Sequence, residues 1–216
     1  LVLCDLGAQY PEVVGLSADL AQSTKIGAFG ERFPDRFFNV GIAEQNLFGV
    51  AAGLAQAGLV PFVSTFSTFA SMRACEFLRT DICYQHLNCK IIATHGGISF
   101  GQAGTTHHCT EDLAIQRALA NMTLIVPADG WATAAAVRAS VKRPGPVYIR
   151  LGRGFGFRLR GVGVGGLQLR GQRFQLGGQR VRGGLGFGFH LQGVRLGGLQ
   201  LRGQRAQLGG QRVRLG

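Results

Sequence analysis

The sequence predicts an α/β fold, a doubly wound parallel sheet with helices on both faces. Three observations predict it. Short apolar runs bounded by turn residues alternate with segments of helical pattern through residues 1–153. That stretch is nearly neutral, with 12 basic against 11 acidic residues. It is also long enough for one real core, since a domain near this size buries roughly 68–70% of its unfolded surface.

The elements follow in order. Leu1 to Gln9 reads as the end of a helix stopped by Tyr10-Pro11, so an N-terminal truncation is expected. Val13 to Ser17 reads as a buried strand and Phe37 to Val40 as a second. Ala43 to Ala57 is a patterned helix whose Gly49, Gly53 and Ala51-Ala52 permit close packing, with Gly58 ending it as a C′ residue. Val60 to Ser64 is a strand, and Phe66 to about His86 reads as one long helix. Lys90 to Thr94 is a buried strand that runs into a glycine-rich loop, His95 to His108. Glu111 to Ala120 reads as helix, Thr123 to Val126 as strand, Trp131 to Val141 as an alanine-rich helix and Pro146 to Arg150 as the closing strand. Sites in such folds sit outside the carboxyl ends of the strands. The loops after Ser17, Val40, Ser64, Thr94 and Arg150 are therefore the ones to inspect.

Residues 154–216 are unlike the rest. They hold the other 11 basic residues, all arginine, no acid, and 20 of the 35 glycines. Gly154–Gly184 and Gly186–Gly216 align at a period of 32 residues with 25 of 31 positions identical. Two copies are fewer than the ~3 that a solenoid needs, and so much glycine works against regular structure. The segment reads as a disordered tail, or as the product of a repetitive or out-of-frame GC-rich stretch. Arginine among glycine and phenylalanine also resembles segments that grip single-stranded nucleic acid, the reading the composition favours least. The excess charge belongs to this tail, which excludes a globally basic nucleic-acid-binding domain.

No apolar run approaches the ~18–20 residues of a membrane span. The chain opens Leu1-Val2-Leu3-Cys4-Asp5 with no charged leader region, so no signal peptide is visible. Five cysteines without a Cys-x-x-Cys pair fit thiols in a reducing compartment, and a cytoplasmic location is expected.

The informative stretch is Phe33-Pro34-Asp35-Arg36-Phe37-Phe38-Asn39-Val40-Gly41-Ile42-Ala43-Glu44-Gln45-Asn46. A strand ends, glycine turns the chain, and a glutamate falls at a helix start. Taken alone, that glutamate is a first-turn charge favoured by the helix dipole. With Pro34-Asp35-Arg36-Phe37 before it, Gly41-Ile42-Ala43-Glu44-Gln45 resembles the pyrimidine-binding domain of transketolases, the thiamine-diphosphate enzymes. Ser17-Ala18-Asp19-Leu20, Ser23-Thr24, Pro61 to Phe66, Thr94-His95-Gly96, Thr106-His107, Glu111 to Ala114, Val126 to Asp129 and Ile149 to Arg153 extend the resemblance in the same order. Deoxyxylulose-phosphate synthases share the Gly-Ile-Ala-Glu-Gln core but usually carry Asp-Arg-Ala-Gly where Thr94-His95-Gly96-Gly97 stand here.

The resemblance implies the chemistry. Glu44 would hydrogen-bond the cofactor's pyrimidine nitrogen and favour the imino tautomer that removes the thiazolium proton. Phe66 and Phe69, otherwise plain core at helical spacing, become the platform for the aminopyrimidine. Met72 stands where some members have a third aromatic, and a thioether still fills that surface. His95 and His107 would contact the sugar hydroxyls and assist proton transfer. Asp19 matches a cofactor-pocket position, Ser23 a substrate-pocket one, and Arg153 an arginine that binds the substrate phosphate. A metal site on His95, His107, His108 and Cys109 has no recognisable ligand spacing, and none is expected.

Two departures from the family pattern matter. Gln102-Ala103 replaces the usual Glu-Asp pair before Gly104, and alanine cannot accept the donor hydroxyl's hydrogen bond. The family's Gly-Asp-Gly motif for the Mg²⁺-bound diphosphate is absent, and Ala128-Asp129-Gly130 belongs to a strand–helix junction instead. The chain is thus expected to be half of a cofactor site. It would transfer a two-carbon ketol unit between sugar phosphates only with a diphosphate- and Mg²⁺-binding partner subunit or domain, as a dimer or heterotetramer. The alternatives are an inactive fragment of a transketolase gene or an RNA-binding protein acting through its tail.

Overall fold

A computed structural model describes residues 2–153 continuously and, within 154–216, four short strands. The chain divides into two units, Leu1–Gly156 and Phe157–Gly216. In the first, six parallel strands form one sheet: β1 Val13–Ser17, β2 Phe37–Asn39, β3 Val60–Phe66, β4 Lys90–Thr94, β5 Thr123–Ile125 and β6 Val147–Arg150. Their order is β2-β1-β3-β4-β6-β5. The chain steps outward from β1 to β2 and returns past it to β3, so a topological switch falls between β1 and β3, where such sheets bind ligands.

Helices cover both faces. They are α1 Val2–Gln9, α2 Ala21–Thr24, α3 Gly27–Arg32, α4 Glu44–Gln56, α5 Cys75–Phe77, α6 Asp112–Ala118 and α7 Gly130–Lys142. Strand side chains alternate between faces and feed two cores. Val14, Leu16, Val63, Ile91 and Tyr148 pack with Leu47 and Phe48 of α4 and with Leu78 and Ile82. On the other face Val13, Phe62, Val147 and Ile149 pack with Phe29 of α3 and Val137 and Val141 of α7. Each fully buried Leu, Ile, Val or Phe contributes about 1.5–3 kcal/mol, so both layers are fixed by apolar burial. The amino edge of the sheet is closed by Lys90, whose Nζ donates to the carbonyls of Arg143 at 2.7 Å and Gly145 at 2.8 Å. Burial pushes that ammonium down to about 8.

The predicted fold class and most predicted elements are present. Gly58 follows α4 with φ +89°, the left-handed backbone expected of a C′ glycine. Two differences bear on the site. Phe66 is the last residue of β3, not the first of a helix, because the strand pairs with β4 as far as Phe66↔Thr94. The helix expected from Phe66 to about His86 is broken into wide π turns at Phe69–Arg73 and Leu78–Cys83, on either side of α5. Such turns widen the helix and re-aim side chains, often at functional sites. The helix expected over Glu111–Ala120 is shorter, and α2 and α3 were not expected at all.

In the second unit, Phe174–Leu176 pairs antiparallel with Gln179–Val181, and Arg205–Leu208 with Gln211–Arg214. Both strand pairs occupy the same place in the 32-residue repeat, with Gly-Gly between the strands in the sequence. The rest of the repeat, and with it the expectation of a disordered tail, lies outside the described residues.

Candidate functional site at the carboxyl edge of the sheet

Glu44 opens α4 with its side chain 1% exposed. The loop that delivers it is pinned by Asn39, whose Oδ1 accepts from the backbone N–H of Asp19 at 2.9 Å and of Gly41 at 3.2 Å. The loops after β1 and β2 are thereby tied together beneath the helix start. A carboxylate there is favoured by the unpaired N–H groups of the first turn.

Phe66 and Phe69 lie across the strand-to-helix corner after β3, with ring centroids 5.7 Å apart and planes at 22°. The π turn then brings residue 73 back over residue 69, through a bond from Ala74 N–H to the Phe69 carbonyl. Arg73 stacks 4.2 Å from the Phe69 centroid and donates to Glu44 Oε2 at 2.6 Å. Carboxylate and aromatic platform are thus joined through one arginine.

The glycine-rich loop after β4 supplies the other wall. Gly97 and Cys109 bridge its neck with two backbone hydrogen bonds, 2.8 and 2.9 Å. Arg150 at the end of β6 donates to the Cys109 carbonyl and to both oxygens of Asp112, 3.0 and 3.4 Å away. Tyr148 Oη also donates to Asp112. Gly96 is needed here, because a Cβ at that position would stand 2.4 Å from Arg150 Nε. The neck so built holds His95 at φ +61°, and Asp19 sits at φ +57°. Left-handed backbone is uncommon for residues other than glycine and tends to gather at functional sites.

His95 is 7% exposed. Its Nδ1 lies 2.9 Å from Thr94 Oγ1, which itself donates to the Thr65 carbonyl. With its one proton used there, the threonine accepts from Nδ1–H, which leaves the Nε2 lone pair free. Burial, then the charges of Arg153 and His107, lower the pKa of His95 below its usual 6.5. The ring is therefore neutral at neutral pH and able to accept a proton or hydrogen bond. Its centroid is 4.1 Å from Phe66, and His107 lies 5.4 Å from Phe69.

Of the residues expected from the sequence, Glu44, Phe66, Phe69, His95 and His107 come together, and Asp19 lies one loop away. Arg153 is exposed and reaches the cluster through Phe100, its guanidinium carbon 4.5 Å from that ring. Ser23 is exposed on α2, with no side-chain hydrogen bond to this group. Met72 points outward, 44% exposed, and completes no platform. Among the described residues no group of His, Cys, Asp or Glu side chains is arranged to hold a metal ion, and no helix is long and apolar enough to cross a membrane.

Five participants were missed, among them Arg150, which stood within the motif Ile149 to Arg153 without a role. Asn39 and Asp112 stood within the family motifs without a role, and Arg73 stood one residue past Met72. Phe100 carried no signal at all. It packs 4.8 Å from His95 and 5.6 Å from His107.

Comparison with known proteins gives this arrangement a family. The model for "Transketolase, pyrimidine binding domain" matches residues 1–155. The chain is 48% identical over 151 residues to a protein of Methanocaldococcus jannaschii named as a transketolase C-terminal section, covering 70% of this chain and 48% of that one. It is 36% identical over 151 residues to one subunit of the apulose-4-phosphate transketolase of Phocaeicola vulgatus, with the same two coverages, 70% and 48%. A solved split-gene transketolase, described as an inactive beta4 tetramer, superposes with TM-score 0.63 at 53% identity, over 70% of this chain and 49% of that one. Campylobacter jejuni transketolase superposes with TM-score 0.62 at 26% identity, over 70% of this chain and 24% of that one. The chain spans about half the length of the curated relatives it matches. A match over the whole first unit, with named relatives at these identities, makes the chain a member of the transketolase family through its pyrimidine-binding domain.

Proposed function

We propose that the chain supplies the pyrimidine-binding half of a thiamine-diphosphate-dependent transketolase. The carrying observation is Glu44, a carboxylate buried at the head of α4 beside the stacked Phe66–Phe69 pair. The imino tautomer of an aminopyrimidine carries a ring N–H that needs an acceptor, and either tautomer needs an apolar face to lie on, so a buried carboxylate beside stacked aromatics fits it. When bound, the cofactor supplies the carbanion chemistry of two-carbon ketol transfer. The residues of this chain position and hold protons. Glu44 accepts from the pyrimidine nitrogen, and Phe66 and Phe69 carry the ring and exclude water. His95, neutral and with Nε2 free, takes a hydrogen bond or proton from a sugar hydroxyl, and His107 faces it across Phe66. Arg153 offers a phosphate a paired donor, and Asp19 and Ser23 line the approach. Ala103 offers the donor hydroxyl nothing, so preference for the ketose differs from that of members with an acid there.

Diphosphate and Mg²⁺ belong in this reading to a partner subunit or domain, in a dimer or heterotetramer. The Phocaeicola relative is named as one subunit of its enzyme, and the split-gene structure is likewise part of a divided transketolase; both support the reading. Native mass spectrometry of the chain purified from its own source, with thiamine diphosphate and Mg²⁺, tests it. A complex with a second subunit and cofactor is expected, along with no turnover of ketose phosphate by the chain alone. Robust turnover without a partner would end the half-site reading.

A further inference from the structure

Arg73 has no part in the chemistry just described, yet it occupies the centre of the site. A planar guanidinium lies on the Phe69 ring at 4.2 Å and gives an N–H to the buried Glu44 oxygen at 2.6 Å. Stacking on that ring while donating an N–H to that carboxylate is what the imino tautomer of an aminopyrimidine would do in the same place. Glu44 is the one hydrogen-bond partner of the Arg73 side chain among the described residues, and 44% of that side chain faces solvent. It is therefore held by one hydrogen bond and one ring face, and has an open route outward.

We infer that Arg73 is a built-in placeholder for the cofactor ring. It pairs with Glu44 while no ring is bound, and it must swing out to solvent to admit one. The contact is autoinhibitory: it occupies the Glu44 oxygen and the Phe69 face and sets a threshold that the incoming ring has to exceed. This rests on the pyrimidine role of Glu44.

The size of the effect follows from exposure. An ion pair with one half-exposed partner is weak, so removing the competitor tightens binding by about two- to five-fold. Lysine at 73 keeps the charge but loses the flat stacking face, so Arg73→Lys falls between wild type and Arg73→Gln.

The test uses the 216-residue chain with labelled arginine, titrated with thiamine diphosphate and Mg²⁺ and followed by NMR of the side-chain Nε–H groups. In the wild type the Arg73 resonance is expected to move to the position of a free, solvated arginine as the ligand saturates. Arg73→Gln is expected to bind about two- to five-fold tighter than wild type, while Glu44→Gln binds more weakly in either background. Equal or weaker binding by Arg73→Gln overturns the inference, as does an Arg73 resonance unmoved at saturation. So does the absence of binding to both wild type and Arg73→Gln at millimolar ligand. If Glu44→Gln binds like wild type, the pyrimidine role itself falls; if only the Arg73 results fail, that role stands and the placeholder does not.

Discussion

Two buried carboxylates near the carboxyl edge of the sheet have each recruited an arginine, and the two pairs are built differently. Asp112 is wholly enclosed, and Arg150, 20% exposed, meets it through two nitrogens while a third bond ties it to the Cys109 carbonyl. Tyr148 adds a further donor. Glu44 is as deeply buried, but Arg73 meets it through one nitrogen and is 44% exposed. The first pair is fixed from several sides and sets the neck of the glycine-rich loop. The second can open without disturbing anything else. Burial of the acid therefore does not tell a structural pair from a site pair; the redundancy of the partner's contacts does.

The sharpest way to break this comparison is Asp112→Ala. It strands Arg150 among buried groups, and a buried pair that loses one partner costs about 3–5 kcal/mol. Urea unfolding followed by circular dichroism should show that loss. A loss below about 1 kcal/mol, the range of exposed pairs, would make the two pairs equivalent and remove the distinction.

Gly96→Ala comes next. The new methyl would meet Arg150 Nε at 2.4 Å, and Arg150 is pinned, so the clash is relieved by shifting the neck that carries His95. Overpacking of this kind costs about 1–3 kcal/mol. An unchanged unfolding midpoint would mean that Arg150 gives way freely, contrary to its several bonds.

Much of this edge was legible in the sequence, for reasons the two pairs illustrate. Strand and helix alternation follows from apolar periodicity, and Glu44, Phe66, Phe69, His95 and His107 sit in local motifs at loops the fold predicts. The Asp112–Arg150 pair was not legible, because it joins residues far apart in sequence that only the sheet brings together. Arg73 was hidden for a related reason. Its place one turn beyond Phe69 is ordinary helical spacing, but its partner Glu44 lies 29 residues away on α4, and nothing in the residue pattern pairs the two. Phe66 itself was found, though on the wrong element, since it ends β3.

Arg73→Ala should cost little stability. Removing it opens Glu44 to water on the side the arginine covered, so the carboxylate is solvated rather than stranded. A loss of about 1 kcal/mol or less is expected, readable as a small shift in thermal midpoint. A loss matching that of Asp112→Ala would show that Arg73 is as structural as Arg150 and could not serve as a removable contact.

The smallest effect concerns a third arginine of the rim, Arg153, which rests on Phe100 and has no carboxylate partner among the described residues. Its charge is one of the influences that lower the pKa of His95, after burial. A histidine with a lowered folded pKa takes up its proton in the unfolded chain first. Stability is therefore complete above pH 6.5, the usual value, and declines as pH falls from there through the folded pKa. His95→Asn should flatten that decline, and Arg153→Ala should lessen it while leaving the burial contribution in place. Unfolding midpoints measured across this window would decide the matter. A wild-type slope unchanged in His95→Asn would mean that folding does not lower the pKa of His95, against the burial and neighbouring charges described for it.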